Sequence, residues 1–140
     1  MELTPHFTFE ELTNTSVSAK MLALNREKGL SLKSELFVLA LFAEQVRAFL
    51  KVPMIITSGY RCKELNKAIG GSETSQHIKV EAIDFIPRKI SIEEAYDLLS
   101  KSLLLYGQLI IEKSKEKKWI HISMGYKKQN LSYVDGIYQK

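Results

Sequence analysis

The longest regular hydrophobic pattern in the chain lies between residues 31 and 50. Apolar side chains recur there at helical spacing on one face, at Leu32, Leu36, Leu39, Phe42, Ala43, Val46 and Leu50. This pattern predicts a helix from about Ser31 to Leu50 that packs on the core. Core packing explains the stretch fully, so we assign it no chemistry.

The N-terminal segment contains a helix start signal. Thr8, followed three residues later by Glu11, forms a capping box, and Phe7 and Leu12 are placed for a hydrophobic staple. A short helix is therefore predicted here. The stretches "LTNTSVSAK" and "NREKGLS" that follow are interpreted as loops around a weak helical turn.

Two further helices are predicted in the middle of the chain. "CKELNKAI" is typical of one or two helical turns, closed by Gly70 and Gly71. Ser91 and Glu94 form a second capping box, for a helix that runs to about Leu103.

Short runs rich in β-branched residues predict strands. "MIITSGYR" indicates a strand that ends in a turn at Gly59, and "QLIIE" and "WIHISMG", separated by "KSKEKK", predict a hairpin. The tail "YKKQNLSYVDGIYQK" is less regular. Together the elements predict a single α+β domain over residues 1–140, with a small, mostly antiparallel sheet and flanking helices.

The segment "SQHIKVEAIDFI" carries a carboxylate inside an otherwise apolar strand. Alternation places Ile83 and Phe85 on one face and Ala82, Asp84 and Ile86 on the other, so both faces are mostly apolar. A buried, unpaired carboxylate costs roughly several kcal/mol. Asp84 therefore requires a metal, a cation or several hydrogen-bond donors.

Composition narrows the class of protein. A chain of 140 residues with 45% hydrophobic residues suffices for one globular domain with a real core. The net charge of +4 is mildly basic, but the only dense basic run is "KSKEKK", at the predicted hairpin tip. A nucleic-acid binder would concentrate its charge in one stripe, so no nucleic-acid partner is expected. A basic surface suits a polyanionic cell-wall polymer.

The expected location and oligomeric state of the protein are inferred from features that its sequence lacks. The single cysteine, Cys62, excludes an internal disulfide and is expected to be a packed residue. No secretory signal and no apolar run of transmembrane length are present. We expect a chain synthesised in the cytoplasm, with no membrane partner, that acts as a monomer.

Three residues are candidate metal ligands. His77 precedes the strand that contains Asp84, and His121 lies in the second strand of the predicted hairpin. Two imidazoles and a carboxylate are a common catalytic zinc set that leaves one position for water. A simpler alternative pairs Asp84 with Arg61 or a lysine and leaves the histidines as ordinary polar residues. The spacing of these residues alone leaves both interpretations open.

Five blocks of sequence occur in an order that resembles a known family. "ITSGYR", "LNKAIGG", "TSQH", "AIDF" and "WIHIS" resemble the zinc D-alanyl-D-alanine carboxypeptidase family, closest to its phage and bacterial peptidoglycan-peptidase branch. The opening "PHFTFEEL" fits that branch, and the resemblance covers nearly the whole chain. It implies a hedgehog-like zinc fold and an endolysin-like hydrolase, of phage or bacterial origin, that cleaves amide bonds in peptidoglycan stem peptides once released to the cell wall.

The resemblance also implies roles for particular residues. His77, Asp84 and His121 would bind Zn²⁺. Arg61 and Ser75 would contact the substrate or the reacting carbonyl. Trp119, beside His121, would form an apolar wall of the site, although plain core packing explains it equally well.

The chain departs from the family pattern at Val80, where relatives usually carry glycine. Valine is β-branched and resists positive φ. Two alternatives follow: the local φ is negative, or the loop is reshaped.

The second departure concerns the general base. Lys118 occupies a position where several relatives carry Asp or Glu, and a lysine cannot serve as that carboxylate. If Glu112 lies opposite Trp119 in the hairpin, it shares the face of His121 as its diagonal neighbour, roughly 7–8 Å away between backbones. Glu112 is therefore the predicted base, in preference to Glu116 at the hairpin tip.

Two functional hypotheses remain. The first is a zinc metallopeptidase, with a D,D-carboxypeptidase and a peptidoglycan endopeptidase equally compatible with the sequence. The second is a non-catalytic peptidoglycan-binding or virion structural module that retains the fold, which Val80 and Lys118 favour. The retained ligand set, Arg61 and Glu112 favour the first.

Overall fold

The computed structural model describes residues 1–134 and 137–139. The helices are α1 (Phe9–Leu12), α2 (Ala19–Gly29), α3 (Lys33–Leu50), α4 (Lys63–Ala68) and α5 (Ile92–Ser100). The strands are β1 (Glu2–Thr4), β2 (Phe7–Thr8), β3 (Met54–Ser58), β4 (Ala82–Pro87), β5 (Gln108–Ser114), β6 (Lys117–Ser123), β7 (Gln129–Val134) and β8 (Ile137–Gln139). None of the described helices is both long and apolar enough to span a membrane.

Six strands form the main sheet, in the order β3-β4-β6-β5-β7-β8. Neighbouring strands are antiparallel except β5 and β7, which run parallel. Strands β1 and β2 form a separate two-stranded sheet. The predicted α+β class, with a mostly antiparallel sheet and flanking helices, is confirmed.

One face of the sheet is covered by α3 and α5. Its fully buried side chains are Ile83, Phe85, Leu109, Ile120 and Ile122. Because side chains alternate along a strand, the neighbours of these residues project from the other face. That second face carries Asp84, Glu112 and His121, so the helices leave it available for chemistry.

The predicted long helix and the capping box at α1 are confirmed. Helix α3 follows a single 3₁₀ turn at Leu30–Leu32 and buries the apolar face that the periodicity indicated. At α1, the Thr8 side chain accepts from the Glu11 amide, and the Glu11 carboxylate accepts from the Thr8 amide, both at 3.1 Å. Both ends of this capping box are therefore hydrogen-bonded.

Helix α5 ends earlier than predicted. Its start is confirmed, because the Ser91 hydroxyl accepts from the Glu94 amide at 3.0 Å. Its last residue is Ser100, whereas the sequence predicted a helix to about Leu103. The Ser102 hydroxyl donates to the Leu99 carbonyl at 2.7 Å and accepts from the Leu104 amide at 3.2 Å. These side-chain bonds replace the helical backbone pattern and end the helix.

The loop interpretation of the segment before α3 is wrong. Residues 19–29 form α2, an 11-residue helix that begins after the Ser18 N-cap. Its two buried residues are Asn25 and Gly29, so it lacks the apolar stripe that marks a helix in sequence. Polar contacts of Asn25, described below, hold α2 against the rest of the molecule.

The tail is also more regular than predicted. Strand β7 pairs in parallel with β5, from Gln108 opposite Gln129 to Lys113 opposite Val134, and β8 pairs with β7. A parallel partner arrives by a crossover and leaves no hairpin signal in the sequence. Residues 135, 136 and 140 of this tail lie outside the described residues.

Candidate metal centre

The three predicted metal ligands meet on the open face of the sheet. Asp84 in β4 lies directly opposite His121 in β6, and His77 approaches from the loop before β4. All three side chains are buried. One candidate ligand atom from each residue lies within 4.8 Å of the other two. The structure therefore brings together the set that the sequence proposed.

Each imidazole uses one nitrogen for an outer hydrogen bond and presents the other to Asp84. His77 Nδ1–H donates to the Gly59 carbonyl at 2.7 Å, and His121 Nε2–H donates to Gln76 Oε1 at 2.9 Å. The remaining nitrogens face Asp84 Oδ1, at 3.1 Å from His77 Nε2 and 2.9 Å from His121 Nδ1. Outer hydrogen bonds of this kind fix the tautomer and orientation of metal-binding histidines.

Two ring nitrogens and a carboxylate oxygen converge on one point, as the ligands of a metal cation do. Burial lowers the pKa of His77, which opposes the protonated state. Burial alone would raise the pKa of Asp84, but its contacts with His77 and His121 outweigh burial and hold that pKa well below its ordinary value. Two imidazoles and an ionised carboxylate fit zinc, with a fourth position left for a non-protein ligand.

Arg61 contacts the other side of the Asp84 carboxylate. Its NH2 lies 3.6 Å from Asp84 Oδ2, while Nε donates to Ser58 Oγ at 3.1 Å and NH1 donates to Asn66 Oδ1 at 3.0 Å. The ion pair and the metal-ligand group therefore coexist, because they use different oxygens of Asp84. Three contacts hold the guanidinium in one orientation.

The block "LNKAIGG" supports Arg61. Asn66 is buried, accepts from Arg61 and donates to the Ser72 carbonyl at 2.8 Å. A Cβ atom added at Gly71 would lie 2.2 Å from Asn66 Oδ1 and 3.0 Å from Arg61 NH1. Only glycine permits this close approach. The block therefore contributes to the site by holding the Arg61 side chain in place.

Asn25 is a residue of this region that sequence reasoning missed. Its side-chain amide donates to the carbonyls of Thr13 at 2.8 Å and Tyr60 at 3.0 Å, and its Oδ1 accepts from the Cys62 amide at 2.7 Å. Asn25 thus holds the backbone on both sides of Arg61. Cys62 is buried, as expected. An asparagine in a segment interpreted as loop carries no sequence signal for this role.

Glu112 occupies the position that the hairpin register predicted. Glu112 is the partner of Trp119, and Ile110 is the partner of His121. Burial first, and then the charge of Asp84, raise the pKa of Glu112 to about 7, against the opposing effects of His121, Arg61 and Trp119. The indole N–H of Trp119 makes no hydrogen bond of normal geometry with the described residues. It lies near enough to Glu112 to favour the ionised form of that side chain. Glu112 can therefore exchange a proton near neutral pH.

The other charged residues of the hairpin lie away from the metal-ligand group. Lys118 projects from the opposite face of β6, beside Ile120, and forms an ion pair with Glu93 of α5. Glu116 lies at the exposed hairpin tip. Lys118 therefore does not replace a carboxylate beside the ligands.

Val80 retains the left-handed backbone that glycine favours. Its φ is +59° and its side chain is buried, so the alternative of a negative φ is wrong. The turn is closed by the Glu81 amide, which donates to the Gln76 carbonyl at 3.0 Å. A non-glycine residue in this region costs about 1–2 kcal/mol. Burial of the valine side chain offsets part of that cost.

Ser75 has a structural contact in the loop that carries His77. Its hydroxyl accepts from the His77 amide at 3.2 Å, and its own amide donates to the Ser72 carbonyl at 3.0 Å. The side chain is partly exposed beside the ligand group. The contact with substrate that the family resemblance implies for Ser75 stays a prediction.

Two cavities lie near the centre, and their lining residues include neither the candidate ligands nor Arg61 or Glu112. One of about 500 Å³ lies on the Arg61 side, with a lining that includes Asn66 and Gly71. One of about 290 Å³ lies on the His121 side, with a lining that includes Gln76 and Tyr126. Each cavity has one lining residue that is hydrogen-bonded to the site. Asn66 contacts Arg61, and Gln76 contacts His121.

Comparison with known families agrees with this geometry. Residues 5–123 match the family model described as Peptidase M15. The matched segment contains the three candidate ligands, Arg61 and Glu112, and ends with β6. No curated protein matches the chain.

Proposed function

The chain belongs to the peptidase M15 family, and from this premise we propose that it is a zinc-dependent peptidase that hydrolyses amide bonds in peptidoglycan stem peptides. One observation carries the proposal. A carboxyl group whose pKa is raised to about 7 lies on the same sheet face as a buried His–Asp–His group. A perturbed carboxyl beside a metal-ligand set is typical of hydrolytic sites.

In the proposed reaction, His77, Asp84 and His121 hold the metal. Zinc, when bound, polarises the scissile carbonyl and makes water a stronger nucleophile at neutral pH. Glu112 accepts the proton of the attacking water and later delivers it to the leaving amine. Burial, which raises the pKa of Glu112, also acts when zinc is bound and makes this carboxylate a better proton acceptor than an exposed one.

Arg61 is the proposed anion-binding group of the site. Its guanidinium is held by Ser58 and Asn66, so it can face a substrate carboxylate or the developing oxyanion with little loss of side-chain freedom. Ser75 would add a hydrogen bond to the substrate. Trp119 would supply an apolar wall next to Glu112.

Digestion of purified peptidoglycan by zinc-loaded protein, with mass analysis of the released fragments, tests the proposal. Internal stem-peptide or cross-bridge fragments would identify an endopeptidase, and free D-alanine as the main product would identify a D,D-carboxypeptidase. A fully zinc-loaded protein that binds peptidoglycan without cleaving it would favour the non-catalytic module. A chelated sample serves as the control.

A further inference from the structure

The strands that lie beyond the matched family segment extend the face that carries the catalytic group. Strand β7 pairs in parallel with β5, and Tyr133 is the register partner of Glu112. On the other side of Glu112 the register partner is Trp119 in β6. Register partners on neighbouring strands project from the same face of a sheet. Trp119 and Tyr133 therefore flank Glu112, and all three are half-buried.

Side-chain contacts hold the start of β7 in place. The Tyr106 hydroxyl donates to Asn130 Oδ1 at 2.5 Å. The Lys128 ammonium donates to the Ser102 carbonyl at 2.6 Å, and the Lys128 amide donates to the Tyr106 carbonyl at 3.0 Å. Tyr106 itself is fully buried. The placement of Tyr133 beside Glu112 is therefore part of the packed structure.

The order of groups across the sheet assigns a side of the substrate to Tyr133. Asp84 lies in β4, His121 in β6, Glu112 in β5 and Tyr133 in β7, each about 4.8 Å from the next strand. The general base returns its proton to the leaving amine, so that amine must lie near Glu112. Tyr133 lies on the far side of Glu112 from the metal ligands, so it would meet the part of the substrate that leaves with the amine.

We propose that Tyr133 is a substrate-contacting residue that forms, with Trp119, two aromatic walls on either side of Glu112 for the leaving-amine portion of a stem peptide. The inference rests on the proposed function, since it takes Glu112 as the base. Aromatic faces suit the short aliphatic side chains and amide groups of such peptides. Strand β7 lies beyond residue 123, where the family match ends.

The chain has a single tryptophan, Trp119, so its fluorescence reports on this subsite directly. Purified stem-peptide fragments are titrated into zinc-loaded protein, and kcat and KM for peptidoglycan hydrolysis are measured in parallel. Tyr133→Ala should weaken binding by roughly 10-fold and raise KM by a similar factor. Val134→Ala, one residue along β7 on the opposite face, is the matched control and should change neither value.

The results separate this inference from the proposed function. If Tyr133→Ala binds as tightly as Val134→Ala, or the parent shows no fluorescence change with stem peptides, the subsite is refuted. Hydrolysis by the parent with unchanged kinetics in Tyr133→Ala refutes the subsite and leaves the peptidase. Tyr133-dependent binding by fully zinc-loaded protein that does not hydrolyse peptidoglycan refutes the peptidase and, with it, the assignment of Tyr133 to the leaving-amine portion. If Tyr133→Ala does not fold, Tyr133→Leu, which keeps apolar bulk without the ring, should weaken binding roughly 3-fold, and parent-like binding by it would refute the subsite.

Discussion

Replacing Glu112 by glutamine should slow catalysis strongly and stabilise the metal-free fold. The site raises the pKa of this carboxyl from 4.5 to about 7, through burial first and the Asp84 charge second. At about 1.36 kcal/mol for each pKa unit, the folded state opposes ionisation of Glu112 by about 3 kcal/mol. Glutamine keeps the size of the side chain but cannot ionise. The metal-free variant should therefore be more stable than the parent at pH 8, by up to about 3 kcal/mol.

The sign of the effect defines the pH range to be measured. Because the folded pKa lies above the unfolded one, the contribution of Glu112 to stability is fully present below pH 4.5. It is lost as the pH rises to about 7. Urea unfolding of chelated parent and Glu112→Gln should therefore diverge across this range. Added zinc should reduce the difference, since a neighbouring cation lowers the pKa of the carboxyl.

Activity supplies the second measurement. Peptidoglycan hydrolysis by Glu112→Gln should fall by roughly 10²–10⁴-fold, the usual scale for loss of a general acid–base group, with zinc content unchanged. Glu116→Gln, at the exposed hairpin tip, is the control and should be nearly neutral in both assays. A stability difference that does not vary with pH would disprove the raised pKa. An inactive Glu116→Gln together with an active Glu112→Gln would show that Glu116, and not Glu112, is the general base.

Three further predictions concern a candidate metal ligand, Arg61, and the asparagine that holds the backbone around Arg61. Purified protein should hold about one zinc per chain, and His121→Ala should lose it in elemental analysis; full occupancy in that variant would remove His121 from the ligand set. Arg61→Lys keeps the charge but loses the planar fork, so activity should fall strongly with zinc content unchanged; parent-like cleavage would leave Arg61 as a structural partner of Asp84. Asn25→Ala removes three buried hydrogen bonds and should cost about 3 kcal/mol in urea unfolding, at about 1 kcal/mol each; a loss below about 1 kcal/mol would contradict its role in holding the segment around Arg61.

Elements with a local signature were predicted well. Helix α3 has a continuous apolar face, α1 has a complete capping box, and the β5–β6 hairpin has a short turn between two β-branched runs. In each case the information lies within a few neighbouring residues. Helix α2 and strand β7 were missed, because α2 buries an asparagine and β7 pairs in parallel with a distant strand.

By itself, the sequence determined which side chains share a face. Alternation placed Asp84 opposite the core residues of β4, and the hairpin register placed Glu112 on the face of His121, because both depend only on local backbone geometry. Only the tertiary structure decided how these groups are supported. His77 donates to Gly59, 18 residues away, and Asn25 accepts from Cys62, 37 residues away. Such hydrogen bonds form between segments that meet only after the helices pack on the sheet, so no local periodicity encodes them.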